Sequence, residues 1–277
     1  MSLQFEGKVA FITGAARGQG RSHAVRFAED GADIIAFDLC DQIDSVAYPM
    51  ATRDDLDETV NLVEKTGRRI VAEQGDVRDL ERLKAAVANG VAELGRVDFV
   101  LANAGIMPAA GEQRYEMSAY IDAVDVLLNG VYYTVEAALP AMLEHGEGGA
   151  IVITSSGRRI EQRVPEVQRP KSWLCRLSRR QTRFVGLMRY YATTLAEKNI
   201  RVNTVHPSGV ATPMILNEAV AQNVLEHPEG NSGLENLLPV PMVESADVTE
   251  AMVYLCGQSG RYITGITLPV DAGYAAK

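Results

Sequence analysis

Short apolar runs, each closing on a glycine or a charged residue, alternate along this chain with longer stretches that read as helices. Lys8-Val9-Ala10-Phe11-Ile12-Thr13 is such a run before a glycine turn and predicts a buried strand. A helix is predicted from about Gly20 to Asp30, ended by Gly31. A second strand, Asp33-Ile34-Ile35-Ala36-Phe37, then closes on Asp38, completing a unit of βαβ size. Residues 55–66 read as helix, Arg69 to Ala72 as a strand leading to Asp76, and Leu80–Leu94 as helix. Val97–Leu101 is another buried strand, and residues 116–146 are mostly helical in pattern. Ala150–Thr154, Ile200–Val205 and Ile266–Val270 complete the strands. Strands alternating with helices predict an α/β fold, a doubly wound parallel sheet in three α/β/α layers. No repeat or linker divides the chain, so residues 1–277 are expected to form a single domain. The polar, proline-bearing and weakly periodic stretch 212–245 follows a strand's carboxyl end, where such folds bind ligands, and reads as a substrate lid.

Composition narrows the class. A chain of 277 residues with 47% hydrophobic and 23% charged content can bury a core without metal or disulfide staples. Cys40, Cys175 and Cys256 form no CxxC pattern, and their odd, scattered usage fits a reducing cytoplasm. His23, His145, His206 and His227 are equally scattered and make no metal-ligand set with them; His206, just before Pro207 at a strand end, reads as structural or cofactor-adjacent. The net charge of -9 argues against a nucleic-acid partner. The opening residues run into the first strand with no signal-peptide pattern, and no apolar run approaches a membrane span in length.

The chemistry begins at Thr13-Gly14-Ala15-Ala16-Arg17-Gly18-Gln19-Gly20, between the first strand and the first helix. Glycines there let backbone approach a pyrophosphate, and the helix N-terminus offers free N–H groups and partial positive charge. The candidate binding residues are Gly14, Ala16, Arg17, Gly18, Gln19 and Gly20. A simple tight turn would use the same glycines, but the strand–turn–helix setting favours a dinucleotide and a Rossmann-type fold. Asp38, followed by Leu39, ends the second strand, where a carboxylate can accept hydrogen bonds from both adenosine ribose hydroxyls. The same charge would repel a 2′-phosphate, no Arg or Lys follows closely, and Asp41 adds to the negative field. NAD is therefore expected rather than NADP, the other role open to Asp38 being a helix cap.

With Asp76-Val77, Asn103-Ala104-Gly105, Asn129, Ser155-Ser156, His206-Pro207-Ser208-Gly209, Ile263-Thr264-Gly265 and Val270-Asp271-Ala272-Gly273-Tyr274, the chain resembles the short-chain dehydrogenase/reductase family over nearly its whole length. The insertion after Asp38 through Ala47-Tyr48-Pro49-Met50-Ala51-Thr52 is similar to the actinobacterial carveol-dehydrogenase-like branch. So are Phe184-Val185-Gly186-Leu187-Met188-Arg189 and Thr212-Pro213-Met214. Members of that branch are described as mycofactocin-coupled, holding NAD so tightly that an external carrier re-oxidises it. The resemblance implies that Asp76 and Val77 hold the adenine, while Asn103, Ala104 and Gly105 line the cofactor groove. Pro207, Val210 and Thr212 stand at the nicotinamide end, with Val210 and Thr212 meeting the carboxamide. Asn129 would kink its helix and orient a proton-relay water, and Ser156 would be the active-site serine. It also implies a homotetramer, and a small secondary alcohol or ketone as substrate.

One part of the family pattern is missing. Its proton transfer uses a Tyr and a Lys four residues apart on one helix, the Lys charge lowering the Tyr pKa. None of the ten tyrosines here has a Lys four residues later. Counted back from Phe184–Arg189, the Tyr position falls on Leu177 and the Lys position on Gln181. Residues 157–183 hold eight arginines and the only Trp, without helical or strand period. Dropping one nucleotide ahead of Gly157 lets Gly157-Arg158-Arg159-Ile160 read Ala-Ala-Gly-Leu. The same shift lets Leu177 to Arg183 read Tyr-x-Ala-Ala-Lys-His-Gly, in register with Phe184. The segment therefore reads as a frame slip; the other reading is true divergence with a basic surface loop. On either reading the residues as they stand lack the general acid/base, and the expectation is an impaired dehydrogenase or, alternatively, an NAD-binding protein without turnover. Arg176, Arg179, Arg180 and Arg183 would also add uncompensated charge at the helix that packs between family subunits, weakening the tetramer.

Overall fold

Side-chain alternation along the strands sets the layers of this protein. The computed structural model describes residues 3–108, 111, 115–156, 181–226 and 235–276, with only the backbone of 181–183. Seven strands form one sheet: β1 (Val9–Thr13), β2 (Asp33–Asp38), β3 (Ile70–Gln74), β4 (Phe99–Ala102), β5 (Gly149–Thr154), β6 (Ile200–Pro207) and β7 (Thr267–Val270). Their order is β3-β2-β1-β4-β5-β6-β7, and every neighbouring pair is parallel. The helices are α1 (Gly18–Glu29), α2 (Arg53–Lys65), α3 (Leu80–Leu94), α4 (Met117–Val124), α5 (Gly130–Glu144), α6 (Gln181–Thr194), α7 (Glu218–Glu226) and α8 (Ser245–Cys256). This is the doubly wound three-layer α/β/α architecture expected.

Val9, Phe11, Ile35 and Phe37 share one buried cluster with Leu83 and Val87 of α3, Val135 of α5 and Met188 of α6. Ala10, Ile12, Ile34 and Ala36 belong to the other, with Phe27 of α1, Leu56 of α2 and Met252 of α8. Strands buried on both faces explain why they read as continuous apolar runs. The chain reverses direction across the sheet between β1 and β4, which opens a crevice at the carboxyl ends of these strands.

Three expectations need correction. Met117–Glu144 is a continuous helical run of 28 residues, apolar enough by length and composition to cross a membrane. Its apolar residues are those of a helix packed on β4 and α3, Val131, Val135, Ala138 and Met142 being buried. Helix α2 starts earlier than the pattern suggested, because Thr52 caps it: Asp55 N–H donates to Thr52 Oγ1 at 3.3 Å while Asp55 Oδ2 accepts from Thr52 N–H at 2.8 Å. Helix α8 is an element that the hydrophobic pattern does not assign; it is capped by Glu244 and Asp247 and buries Val248, Met252, Val253, Leu255 and Cys256. The stretch 212–245 itself contains α7 and exposes Leu216, Leu225, Leu237 and Leu238. Leu177, Cys175, His227 and nearly all of 157–183 lie outside the described residues.

Candidate cofactor site

The turn between β1 and α1 is shaped by contacts only glycine permits. A Cβ on Gly20 would stand 1.9 Å from the Gly14 carbonyl oxygen, and one on Gly14, at φ +70°, 2.9 Å from Ala104 Cα. The turn is held from behind. Thr59 Oγ1 donates toward the carbonyls of Ala15 and Ala16 at 3.1 and 2.9 Å. The Arg21 guanidinium donates to the Ala16 carbonyl at 2.7 Å and to Thr59. Residue Arg17 reaches away from the turn and donates to the Pro49 carbonyl at 2.7 Å.

Asp38 sits at the carboxyl end of β2, one strand over. Its Oδ2 accepts the Ala16 N–H at 2.8 Å and its Oδ1 the Cys40 N–H at 3.3 Å. Burial raises its pKa above the usual carboxylate value, against the pull of these N–H groups and of Arg17. On the β4 side, Asn103 ties three strand ends together. Its Nδ2 donates to the Thr13 carbonyl at 3.1 Å, and its Oδ1 accepts from Thr154 Oγ1 at 3.2 Å. Thr13 Oγ1 accepts the N–H groups of Asn103 and Ala104, both at 3.2 Å.

These elements meet in one cleft. It is lined by Gly14, Arg17, Gly18, Gln19, Gly20, Asp38, Leu39, Asp76, Val77, Asn103, Ala104, Gly105 and Thr212, all singled out from sequence. Thr212 is buried and its Cγ2 closes over Gly18. Ala16 stands behind the wall, contributing its N–H to Asp38. Pro207 and Val210 are buried outside the cleft wall, Val210 bridging Val243. Ser156, just past β5, is outside that wall as well, its carbonyl 3.2 Å from His206 Nδ1.

Asn129 lies where its helix kinks. Between α4 and α5 the helix widens into a π turn over Asp125–Asn129, the local kink. The Asn129 Nδ2 donates to Asp125 Oδ1 at 2.8 Å within that turn. The side chains this helix brings to the cleft are those of Val126, and of Leu127 against Gly105.

The wall also contains residues not predicted as cofactor-binding: Ile43, Tyr48, Met50, Ala51, Gly75, Ile106, Val126, Pro213 and Met214, of which Tyr48, Met50, Ala51, Pro213 and Met214 stand in motifs that carry the family resemblance. Ile43, Tyr48, Met50 and Ala51 come from the insertion after Asp38, which is a folded element. The Gln42 side chain donates to the carbonyl of Val46 at 2.8 Å and accepts from Met50 N–H at 3.1 Å. Tyr48 is 3% exposed and its Oη accepts the Met107 N–H at 3.2 Å. The signal in the sequence is the apolar character of Ile43, Val46, Tyr48 and Met50 in a segment too rich in apolar residues for a solvated loop.

His145, read as isolated, lies beside Asp98 and Glu147, with ligand atoms within 4.8 Å of one another. Arg96 Nη2 already bridges both carboxylates at 2.6 Å, and Lys8 Nζ both at 3.1 Å. These cations hold the Glu147 carboxyl down at about 2. The cluster is an ion-pair network at the amino end of the sheet.

The cradle fits a dinucleotide on its own geometry. Glycine is required where the backbone must be bare, α1 points its N-terminus at the cleft, and a carboxylate stands one strand over. Gln19 Oε1, in the cleft wall, is buried without a hydrogen-bond partner among the described residues.

Known proteins agree with this geometry. A family model described as enoyl-(acyl carrier protein) reductase matches residues 14–275. The chain is 42% identical to the (-)-trans-carveol dehydrogenase of Rhodococcus erythropolis, over 98% of this chain and 99% of that protein. It is 30% identical to the cyclohexanol dehydrogenase of an Acinetobacter strain, over 100% and 98% of the two chains. The crystal structure of carveol dehydrogenase from Mycobacterium avium in complex with NAD superposes with a TM-score of 0.88 at 42% identity, covering 99% of both chains. With this match in sequence and fold over its whole length, the chain belongs to the short-chain dehydrogenase/reductase family.

Proposed function

We propose that this chain is an NAD-dependent oxidoreductase acting on small cyclic or terpenoid secondary alcohols and the matching ketones. The observation that carries the reading is Asp38. Its carboxylate is fixed by Ala16 N–H at the edge of the glycine cradle, where it suits two ribose hydroxyls and disfavours a 2′-phosphate. The relatives named for carveol and cyclohexanol, and the NAD-bound neighbour, support the substrate class and the cofactor.

NAD would supply the hydride acceptor. In this reading the glycine turn from Gly14 to Gly20 holds the pyrophosphate, Asp38 and Leu39 the adenosine ribose, and Asp76 and Val77 the adenine. Asn103, Ala104 and Gly105 line the groove, with Pro207, Val210 and Thr212 at the nicotinamide end. Ser156 donates to the substrate oxygen, and the stretch 212–245 closes over it, its exposed leucines suiting an apolar substrate. Leu177 and Gln181 cannot move the hydroxyl proton, so turnover is slow. Asn129, at the kink, would orient a proton-relay water. The subunits associate as a homotetramer, supported by the exposed Tyr132 and Tyr190 on α5 and α6.

A second reading, NAD binding without turnover, is favoured by the absence of any Tyr-x-x-x-Lys in the sequence. Thermal melts with NADH, together with turnover of carveol and cyclohexanol, separate the two. Stabilisation with turnover supports the first and stabilisation alone the second. A chain that NADH does not stabilise overturns both.

A further inference from the structure

We propose that His206 is a positioning residue for Ser156, pinning the main chain of that serine through an imidazole of fixed tautomer; this rests on the reading of Ser156 as the group that meets the substrate oxygen. His206 is 1% exposed, on β6. Its Nδ1 lies 3.2 Å from the Ser156 carbonyl oxygen and its Nε2 2.8 Å from Thr204 Oγ1. A carbonyl can only accept, so Nδ1 carries the proton. Nε2 is then a lone pair that faces the Thr204 hydroxyl at 2.8 Å; the same hydroxyl has a longer contact, 3.4 Å, with the Ile266 carbonyl, which the Thr204 N–H already serves at 3.0 Å, so the shorter bond to Nε2 takes its proton. Burial pushes the imidazole pKa down, which keeps the ring neutral and this pattern intact.

Strand chemistry explains why a side chain is needed here. The Ser155 N–H donates to the Val205 carbonyl at 2.8 Å, continuing the β5–β6 ladder one residue past β5. The next donor from β6 would be Pro207, which has no N–H. That missing rung would have met the Ser155 carbonyl; the His206 ring instead reaches one residue further, to the Ser156 carbonyl, and joins β6 to the chain beyond β5 where the backbone ladder has stopped.

The test is a double-mutant cycle on the NAD⁺ complex, reading cyclohexanone affinity by saturation-transfer NMR, which needs no turnover. Ser156→Ala removes one hydrogen bond and is expected to weaken binding by about twofold to tenfold. His206→Leu is expected to weaken it to the same degree, and His206→Asn, which keeps a donor near Nδ1, to restore it. The double variant Ser156→Ala/His206→Leu should be no weaker than Ser156→Ala alone. A His206→Leu protein that keeps its NAD-induced thermal shift and binds cyclohexanone as the parent does overturns the proposal, as does simple additivity. If cyclohexanone does not bind the parent complex, the substrate reading fails instead. Imidazole ¹⁵N shifts then decide the His206 link: a neutral Nδ1–H ring supports it, and an Nε2–H or charged ring overturns it.

Discussion

The Asp38 carboxylate and the Ala16 N–H, 2.8 Å apart, join the end of β2 to the glycine turn and make one rigid corner of the cleft. Because burial raises the Asp38 pKa, protonation begins above the range of an exposed aspartate. Ribose hydroxyls donate to the ionised form. NAD affinity should therefore be flat at high pH and weaken as pH falls through that raised pKa, with proton release on binding in the same window. Asp38→Asn should lose the pH dependence, bind NADH about tenfold to a hundredfold more weakly, and discriminate less against NADPH. Titration calorimetry from pH 8 to 5 checks this. Unchanged NADH affinity in the variant would remove Asp38 from the site.

Gly20 offers a sharper steric test. Its missing Cβ leaves room for the Gly14 carbonyl, and the atoms that would have to yield, Gly14 O and C and Ala15 Cα, are all backbone. Gly20→Ala should abolish measurable NAD binding or prevent folding. Gly67→Ala is the control: its φ is +82° but nothing lies within 4 Å. That change should cost about 1–2 kcal/mol of stability in the left-handed region and leave NAD affinity alone. Equal losses of NAD binding in the two would show a general weakening of the fold.

The sheet and the glycine cradle were legible because each rests on short-range pattern. Buried strands such as Ala150–Thr154 are continuous apolar runs, and Gly14 to Gly20 declare a turn before a helix. The features that stayed hidden depend on contacts far apart in sequence. Tyr48 reads as a loop tyrosine until Met107, 59 residues on, donates to it. The kink at Asn129 follows from the family resemblance, but the bond from its side chain to Asp125 across a π turn is announced by no spacing rule. His145 looks isolated until β4 and the end of α5 bring it beside Asp98.

His23 gives the fold an acid sensitivity separate from cofactor binding. It is fully buried between α1 and α8, its Nδ1 2.7 Å from Thr249 Oγ1, and burial lowers its pKa from 6.5 to about 3. The unfolded chain takes up a proton below pH 6.5 that the folded chain refuses until about pH 3. This contribution to stability is complete above pH 6.5 and is lost progressively as pH falls toward 3. At pH 5.5 it amounts to a loss of about 1.4 kcal/mol relative to neutral pH. Urea unfolding of His23→Asn, compared with the parent at pH 7.5 and 5.5, should show a lower stability at neutral pH and a shallower fall. An equally steep fall would place the acid sensitivity elsewhere.

The missing Tyr–Lys pair is the strongest lever on activity. Leu177, Gln181, Phe184, Met188 and Tyr191 succeed one another at intervals of four, three, four and three, the spacing of a single helical stripe. Helix α6 begins at Gln181 and buries Phe184, Met188 and Tyr191 along that stripe. A tyrosine and a lysine at the first two positions would restore the family's four-residue spacing, in which the lysine charge holds the phenol near a usable pKa. Leu177→Tyr with Gln181→Lys should therefore raise turnover of cyclohexanol by about a hundredfold to ten-thousandfold, the usual worth of a general acid/base. Leu177→Tyr alone should give less, since an unassisted phenol stays protonated at neutral pH. The added lysine should also tighten NAD binding. The measurement is kcat with cyclohexanol and NAD, beside an NAD dissociation constant for each variant. No rise in kcat, in a double variant that binds NAD as well as its parent does, would mean that more of the segment from 157 to 183 than these two residues stands between this chain and catalysis.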